Sequence, residues 1–242
     1  MKVVAIVQAR MGSSRLPKKV MKTIEGKTVI QILLERLSLS KMIDEIVVAT
    51  SIESSDDVLV EHLKKLGFKY FRGSESDVLS RYTGAAKASN ADVVVRITGD
   101  CPLVDPILVD SCIDQFCESG CDYLSNIDPP TFPDGLDIEV VLTSALLTAA
   151  AKATTIYDRE HVTPYLRTNS DFVREKVICE HNYSFLRWTL DEQADFKVIE
   201  NVIKHFAPRI NFGWREVLEL QKAHPEIFEA NTNLKRNEGV SM

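Results

Sequence analysis

Short apolar runs alternate with helical patterns along the first half of the chain, and this alternation constrains the fold more than any other feature. The apolar runs cover residues 3–7, 45–50 and 92–97. Because segments with helical periodicity separate them, the pattern predicts βαβ units and a parallel sheet. The third run is almost entirely apolar, which is typical of a central strand. We therefore expect a Rossmann-like α/β fold in which helices flank a mostly parallel sheet.

The remaining elements follow from periodicity and capping signals. Ser54 and Ser55 are expected to cap the second helix, Gly67 to end it, and Asp105 to cap the fourth. The helical patterns cover residues 29–39, 56–66, 77–88, 107–117, 144–153, 192–206 and 214–223. The further strand patterns cover residues 69–72, 122–127, 137–142, 174–179 and 185–189. No linker marks a second domain, so we expect one domain over residues 1–242 with a small lobe inserted at about residues 123–185.

The composition limits the classes of function. A formal net charge of −6 argues against a nucleic-acid-binding surface, which is usually basic. Arg10 interrupts the first apolar stretch, so no secretory signal is expected, and no run approaches the roughly 18 apolar residues of a membrane span. The odd count of five cysteines argues against a disulfide framework, and Cys112, Cys117 and Cys121 lack the paired spacing of a zinc site. We expect a cytoplasmic protein with reduced thiols and neither a membrane nor a nucleic-acid partner.

A basic loop follows the first apolar run. Residues 10–19 contain one glycine, two serines and four cations, namely Gly12, Ser13, Ser14, Arg10, Arg15, Lys18 and Lys19. Small residues let a ligand approach the backbone, and exposed N–H groups together with Arg and Lys bind anions. The loop matches neither the Walker A nor the dinucleotide fingerprint, and a basic loop can also be simply solvated. Open α/β sheets bind ligands beyond the carboxyl ends of their strands, so we expect this loop to hold phosphates.

Carboxylates at predicted strand ends are the second chemical signal. Asp100 follows the central strand and would point into the ligand crevice, where carboxylates are natural Mg²⁺ ligands. Asp191 is expected to end the strand over residues 185–189, or to cap the helix that follows. Asp137 and Glu139 share one face of a strand, where they could bind sugar hydroxyls or lie at a solvated edge. His161 follows Glu160 and could transfer protons, although such a histidine is more often a structural hydrogen-bonding group.

Seven strings, in their order and spacing, resemble the sugar cytidylyltransferases. That family includes the CMP-KDO synthetases, the acylneuraminate cytidylyltransferases and the spore-coat polysaccharide protein F group, and the chain is most similar to the last of these. The strings are RMGSSRLPKK at residues 10–19, DVLSRY at 77–82, VRITGDCPL at 95–103, FPDGLDIEV at 132–140, DREHVTPY at 158–165, RWTLD at 187–191 and KRNEG at 235–239.

The resemblance implies a nucleotidyltransferase with a GT-A-like sheet. Such an enzyme would use CTP to activate a sugar or sugar acid to a CMP-sugar for surface polysaccharide or glycan synthesis, releasing pyrophosphate. The resemblance assigns Mg²⁺ to Asp100 and Asp191, and catalysis to Arg10, Arg15, Lys19 and Asp100. It assigns nucleotide binding to Ala9, Arg10, Gly12, Ser13, Arg15, Lys19, Arg81, Thr98 and Gly99, and acceptor contact to Asp137, Glu139 and His161.

The family pattern also predicts a register and an assembly. It has glycine and then lysine after Leu-Pro, which places Lys18 at the glycine position and Lys19 at the lysine position. Relatives commonly pair through the second-half lobe, so a homodimer is expected through residues 132–165. A GT-A-like glycosyltransferase and a non-catalytic nucleotide-binding protein are the alternative functions. The acceptor sugar and the base preference are not specified by these motifs.

Overall fold

The computed structural model describes residues 1–236, and the tail string from residue 237 onward lies outside them. The strands are β1 (Val3–Gln8), β2 (Thr23–Ile24), β3 (Lys27–Thr28), β4 (Glu45–Ser51), β5 (Lys69–Gly73), β6 (Val93–Thr98), β7 (Tyr123–Ser125), β8 (Glu139–Leu142) and β9 (Arg174–Lys176). The α-helices are α1 (Val29–Leu37), α2 (Asp57–Leu66), α3 (Val78–Ala88), α4 (Pro106–Ser119), α5 (Thr143–Lys152), α6 (Ile156–His161), α7 (Pro164–Thr168), α8 (Gln193–Phe206) and α9 (Trp214–Ala223).

The main sheet has seven strands in the order β5-β4-β1-β6-β8-β7-β9. Strand β1 pairs in parallel with both β4 and β6, as the alternating pattern predicts. Strand β8 runs antiparallel to both neighbours, so β7 and β9 again point in the direction of β1. The predicted fold class is confirmed, because a mostly parallel sheet lies between helical layers.

Two apolar layers cover the two faces of the sheet. Alternate residues of β1 supply both: Ala5 and Val7 pack with α1, α4, α8 and α9, whereas Val4 and Ile6 pack with α3, α5 and α7. This arrangement explains why β1 is apolar throughout, since a strand buried on both faces cannot alternate with polar side chains. Within residues 1–236, no helix combines the length and the apolar character that crossing a membrane requires.

The second half departs from the predicted strand boundaries. The strands predicted over residues 122–127, 137–142 and 174–179 are each shorter, and β8 begins only at Glu139. The strand predicted over residues 185–189 is wrong. This segment forms a single parallel bridge between Asp134 and Arg187, because only one residue of the loop before β8 runs beside it. Asp191 therefore follows an extended segment rather than a strand.

Helix starts confirm some capping predictions and correct others. The Asp105 side chain accepts hydrogen bonds from the N–H groups of Ile107 and Leu108, as a helix cap does. Helix α2 follows a 3₁₀ turn over Ser54–Asp56, so the predicted serine cap is wrong, although Gly67 ends the helix as expected. Helix α8 is capped by Glu192, so Asp191 is left for another role.

Candidate active site at the carboxyl edge of the sheet

The carboxyl ends of β1 and β6 lie unusually close together. The N–H of Gly99 donates to the carbonyl oxygen of Gln8 at 2.7 Å. A Cβ on residue 99 would lie 2.9 Å from that oxygen and 3.0 Å from the Cβ of Ala9, so only glycine fits without displacement. This contact brings the basic loop after β1 against Asp100 after β6.

A cavity of about 250 Å³ opens at this edge. It brings together ten of the residues that the sequence assigns to nucleotide and metal binding. These are Ala9, Arg10, Gly12, Ser13, Arg15, Lys19, Thr98, Gly99, Asp100 and Asp191. Gln8 and Ser14 also line it and were not predicted as site residues. Because both residues lie within the strand and loop at the start of the chain, the sequence pattern could have predicted them as site residues.

A buried carboxylate fixes the start of the basic loop. Asp56 is 1% exposed, and its Oδ1 accepts a hydrogen bond from the Met11 N–H at 2.7 Å. Its Oδ2 accepts from the Thr50 hydroxyl at 2.8 Å and from the N–H and hydroxyl of Ser51. Burial alone would raise the pKa of Asp56, but these donors lower it. The side chains of Met11 and Leu16 also enter the core, so the loop is attached at both ends of its turn.

The loop backbone distinguishes the two lysines. Lys18 has φ +58° and ψ +24°, which is the left-handed region that favours glycine. This is the position at which the family pattern has glycine. The side chain of Lys18 is exposed, whereas Lys19 begins a short 3₁₀ turn and enters the cavity.

The ammonium group of Lys19 lies between the two predicted metal-binding carboxylates. Its Nζ is 2.9 Å from Asp100 Oδ2 and 2.8 Å from Asp191 Oδ1. Burial alone would raise the pKa of Asp100, but the Lys19 charge and the Thr98 hydroxyl lower it to about 2. For Lys19, burial alone would lower the pKa, but Asp100 and Asp191 raise it. Two carboxylates that are 91 residues apart in the sequence therefore meet at one ammonium group.

A second buried acid holds the Asp191 backbone in place. Asp195 is fully buried, and its Oδ2 accepts hydrogen bonds from the N–H groups of Asp191 and Glu192 at 2.9 and 2.8 Å. Arg187 donates to both Asp195 oxygens, and the Asn231 amide donates to Oδ1. Burial alone would raise the pKa of Asp195, but these donors lower it. The sequence analysis missed this network, although RWTLD with an acid four residues later contains its main members.

The two carboxylates fit a divalent cation. Asp100 and Asp191 already place oxygen atoms on either side of one positive charge, and carboxylate oxygens are hard ligands suited to Mg²⁺ or Mn²⁺. Residues 1–236 contain no cluster of three or more His, Cys, Asp or Glu side chains that could hold a metal. Two carboxylates suit an ion that completes its coordination with phosphate oxygens and water.

The two arginines of the loop each contact an acid at the rim of the cavity. Arg10 Nη1 lies 2.9 Å from Glu75 Oε1. Arg15 contacts Asp191 at 3.0 Å and Glu192 at 3.6 Å. All three acids are partly exposed, so these pairs are weak and their arginines can exchange a carboxylate for a phosphate at small cost.

Four predicted site residues lie outside the cavity. Arg81 is 1% exposed and donates to the carbonyl oxygens of Ser74 and Glu75, so it supports the segment that faces Arg10. Glu139 is also buried, and its carboxylate contacts Arg96 and the Tyr123 hydroxyl. The remaining two are His161, which packs on Tyr157, and Asp137.

Asp137 lies in the loop before β8 together with Asp134. Arg236 donates to Asp137 Oδ1 at 2.5 Å and to the Phe132 carbonyl oxygen at 3.2 Å. Burial raises the pKa of Asp134 to about 7, with the Asp137 charge as the next cause. Burial also raises the pKa of Asp137, and Arg236 offsets this only in part. Gly135 lies between them with φ +104°, and a Cβ there would be 2.6 Å from the Trp188 carbonyl.

The comparisons with known proteins agree with this geometry. A family model described as cytidylyltransferase matches residues 4–222. Uncharacterized protein MJ1063 of Methanocaldococcus jannaschii is 38% identical over 239 residues, which are 98% of this chain and 97% of that protein. The spore coat polysaccharide biosynthesis protein SpsF of Bacillus subtilis is 34% identical over 234 residues, which are 93% and 95% of the two chains.

A solved structure extends the agreement to three dimensions. A cytidylyltransferase from Leptospira borgpetersenii superposes with a TM-score of 0.91 at 37% sequence identity. The match covers 95% of this chain and 97% of that chain. A family model over most of the chain, near-complete relatives above 30% identity and a cavity lined by the family's motif residues lead to one conclusion. The chain belongs to the cytidylyltransferase family.

Proposed function

We propose that the protein transfers the CMP group of CTP to a small sugar acceptor at the carboxyl edge of β1 and β6. The observation that carries this proposal is the meeting of Asp100 and Asp191 at the Lys19 ammonium, beside the basic loop. The sequence motifs alone left two alternative functions, a glycosyltransferase and a non-catalytic nucleotide-binding protein. Family membership and the paired carboxylates favour nucleotidyl transfer over both.

The loop residues would hold the triphosphate. The Gly12 backbone and the Ser13 hydroxyl, with Arg10 and Arg15 at the rim, offer donors and charge to phosphate oxygens. Lys19 would turn its ammonium group from the carboxylates to the phosphates. An acceptor oxygen then attacks the α-phosphorus, and the bond to pyrophosphate breaks. Such a transfer depends on positioning and on neutralising charge, and the cationic loop supplies both to the leaving group.

Asp100 and Asp191 would hold Mg²⁺, with Mn²⁺ as the other cation that suits their oxygen atoms. A cation held there supplies charge neutralisation at the phosphate oxygens. The chain's own contribution is to fix both carboxylates before the substrate arrives. Asp100 is fixed by its place directly after β6, and Asp191 by its backbone contact with Asp195.

The acceptor would lie beyond Asp100, on the side of the lobe. Asp137 is the predicted acceptor residue nearest this edge, since its side chain is 35% exposed and the Asp100 charge contributes to its raised pKa. Glu139 would act indirectly by holding Arg96 and Tyr123. His161 would shape the lobe rather than transfer protons.

The proposal extends to cell biology and assembly. We infer a cytoplasmic enzyme whose CMP-sugar serves surface polysaccharide synthesis, by analogy with SpsF, whose name refers to spore coat polysaccharide. We also infer a homodimer through the lobe. The large apolar side chains Ile156, Tyr157, Val173, Ile178 and Phe185 are exposed in the lobe, and a second copy of the chain would cover them.

Pyrophosphate release tests the proposed function. The purified protein is incubated with each of the four nucleoside triphosphates, Mg²⁺, and panels of sugars, sugar acids and sugar phosphates. We expect release with CTP and one acceptor class. We also expect losses of about a hundred-fold or more in kcat for Asp100→Asn and Asp191→Asn.

Asp114→Asn is the matched control, because this exposed carboxylate lies on α4 away from the cavity. The control should retain full activity. Equal activity in the two site variants and the control would refute the proposed role of the carboxylates. Release with a purine nucleotide in place of CTP would refute the proposed substrate.

A further inference from the structure

A second charged cavity lies on the lobe side of the same sheet. Its volume is about 290 Å³, and none of its lining residues belongs to the cavity at the basic loop. Its lining includes three cations, Arg167, Arg174 and Lys176, and two acids, Asp128 and Glu175. The cations outnumber the acids, so the cavity is suited to an anion.

The three cations are not paired with acids elsewhere in the part of the chain that the structure describes. Among residues 1–236, none of them forms an ion pair with a carboxylate. Arg174 Nη1 donates to the Arg167 carbonyl oxygen, and this bond holds the Arg174 guanidinium beside Arg167. The Nε of Arg167 is buried and has no hydrogen-bond partner in the described part of the chain. A buried donor without a partner is costly, and a small turn of the Arg167 guanidinium toward an anion in the cavity would satisfy it.

The sheet topology sets this cavity beside the active site. Strand β8 pairs Glu139 with Arg96 on one side and with Ser125 on the other, so the carboxyl ends of β6 and β7 lie at the same edge. Lys176 is in register with Ser125 at the end of β9. Two strand spacings separate β6 from β7, so β7, which lines the cavity, lies roughly 10 Å from the strand that precedes Asp100.

We propose that the second cavity binds an anionic group of the acceptor, a carboxylate or a phosphate, that is remote from the oxygen that attacks CTP. The inference rests on the proposed function and adds the substrate class: an acceptor with its reacting oxygen at one end and a negative charge at the other. The CTP phosphates have their own cations in the basic loop, so Arg167, Arg174 and Lys176 are free for a second ligand. Arg174 and Lys176 lie on the same face of β9, where both can reach one anion.

Direct binding tests the site without turnover. Inorganic phosphate and, separately, acetate are titrated by calorimetry into the full-length protein saturated with CTP and Mg²⁺ in the absence of acceptor. We expect one bound anion per chain, and the tighter of the two probes indicates whether phosphate or carboxylate is preferred. Arg174→Gln and Lys176→Gln should each weaken this binding about ten-fold and leave CTP binding unchanged.

Lys87→Gln is the matched control, an exposed lysine in the last turn of α3, and should bind the anion normally. Arg174 and Lys176 are exposed, so their variants are expected to fold. If neither phosphate nor acetate binds, or if the bound anion binds equally to the two variants and the control, the inference is overturned. A protein that binds phosphate here but fails to bind CTP would overturn the proposed function and retain the anion site.

A turnover experiment gives the second measurement. The variants are assayed with the anionic acceptor that the pyrophosphate screen identifies and with a neutral analogue of it. We expect the KM for the anionic acceptor to rise about ten-fold in Arg174→Gln and Lys176→Gln, with the KM for CTP unchanged. If the enzyme prefers the neutral analogue, or if the two variants raise both acceptor KM values equally, the acceptor does not place a charge in this cavity.

Discussion

Asp56→Asn is the substitution that tests how the basic loop is held. The Asp56 carboxylate accepts from Met11 with one oxygen and from Thr50 and Ser51 with the other. An asparagine has one oxygen and one NH₂ group in place of the two oxygens. Its NH₂ group must therefore point at groups that are themselves hydrogen-bond donors. The amide oxygen satisfies more donors on the side of Thr50 and Ser51, and the NH₂ group is then left opposite the Met11 N–H.

The magnitude follows from these contacts. A hydrogen bond to a charged group contributes about 1.5–3 kcal/mol, and Met11 would lose such a bond. We therefore expect Asp56→Asn to lower the free energy of unfolding by about 2–3 kcal/mol. We also expect the KM for CTP to rise about ten-fold, because the loop is no longer fixed before the nucleotide binds. Urea denaturation and pyrophosphate release measure the two effects.

The neighbouring residue supplies the control. Asp57 is exposed and pairs with Arg72 at the surface, so Asp57→Asn should cost less than about 1 kcal/mol and leave the KM unchanged. Similar losses of stability in the two variants, or an unchanged KM for CTP in Asp56→Asn, would refute the proposed role of Asp56 in holding the basic loop.

The pH dependence gives a further test of the same carboxylate. The pKa of Asp56 is lower in the folded protein than its ordinary value of 3.8. Its stabilising contribution is therefore present above about pH 4 and is lost as the pH falls through the folded pKa. The difference in stability between the wild type and Asp56→Asn should shrink in that acidic range. A difference that stays constant down to the lowest measurable pH would contradict the assignment of the stability to the ionised carboxylate.

Three further predictions concern the loop and the assembly. Lys19→Ala should weaken CTP binding about ten-fold or more by calorimetry, whereas Lys18→Ala should change it less than two-fold, and equal losses would refute the register. Lys18→Gly should raise the free energy of unfolding by about 0.5–1 kcal/mol, because φ +58° is strained for lysine, and a destabilised variant would contradict that. Light scattering after size exclusion should give twice the chain mass of 27.2 kDa, and a monomer across micromolar concentrations would argue against pairing through the lobe.

The site was only partly accessible to sequence reasoning. The strand-loop string singled out Arg10, Ser13 and Lys19, which line one cavity, because the basic loop is continuous in sequence. The sequence did not reveal Asp56, since it acts on the backbone of another segment through a contact made only on folding. Asp195 was missed although it lies only four residues after Asp191, because its partners Arg187 and Asn231 meet it only in the folded chain. Asp56 is 45 residues from Met11, and nothing in its local pattern distinguishes it from the solvated Asp57.

The sequence by itself determined the alternation of strands and helices, the parallel core and the chemistry of the first loop. These are local properties, set by side-chain periodicity and by residue type over ten to fifteen positions. The tertiary structure decided which lysine enters the cavity, that Asp191 reaches Asp100 without a strand beneath it, and that residues 185–189 form one bridge. Each depends on partners distant in the chain; Lys19 and Asp191 are 172 positions apart. Only the folded geometry specifies which charges meet there.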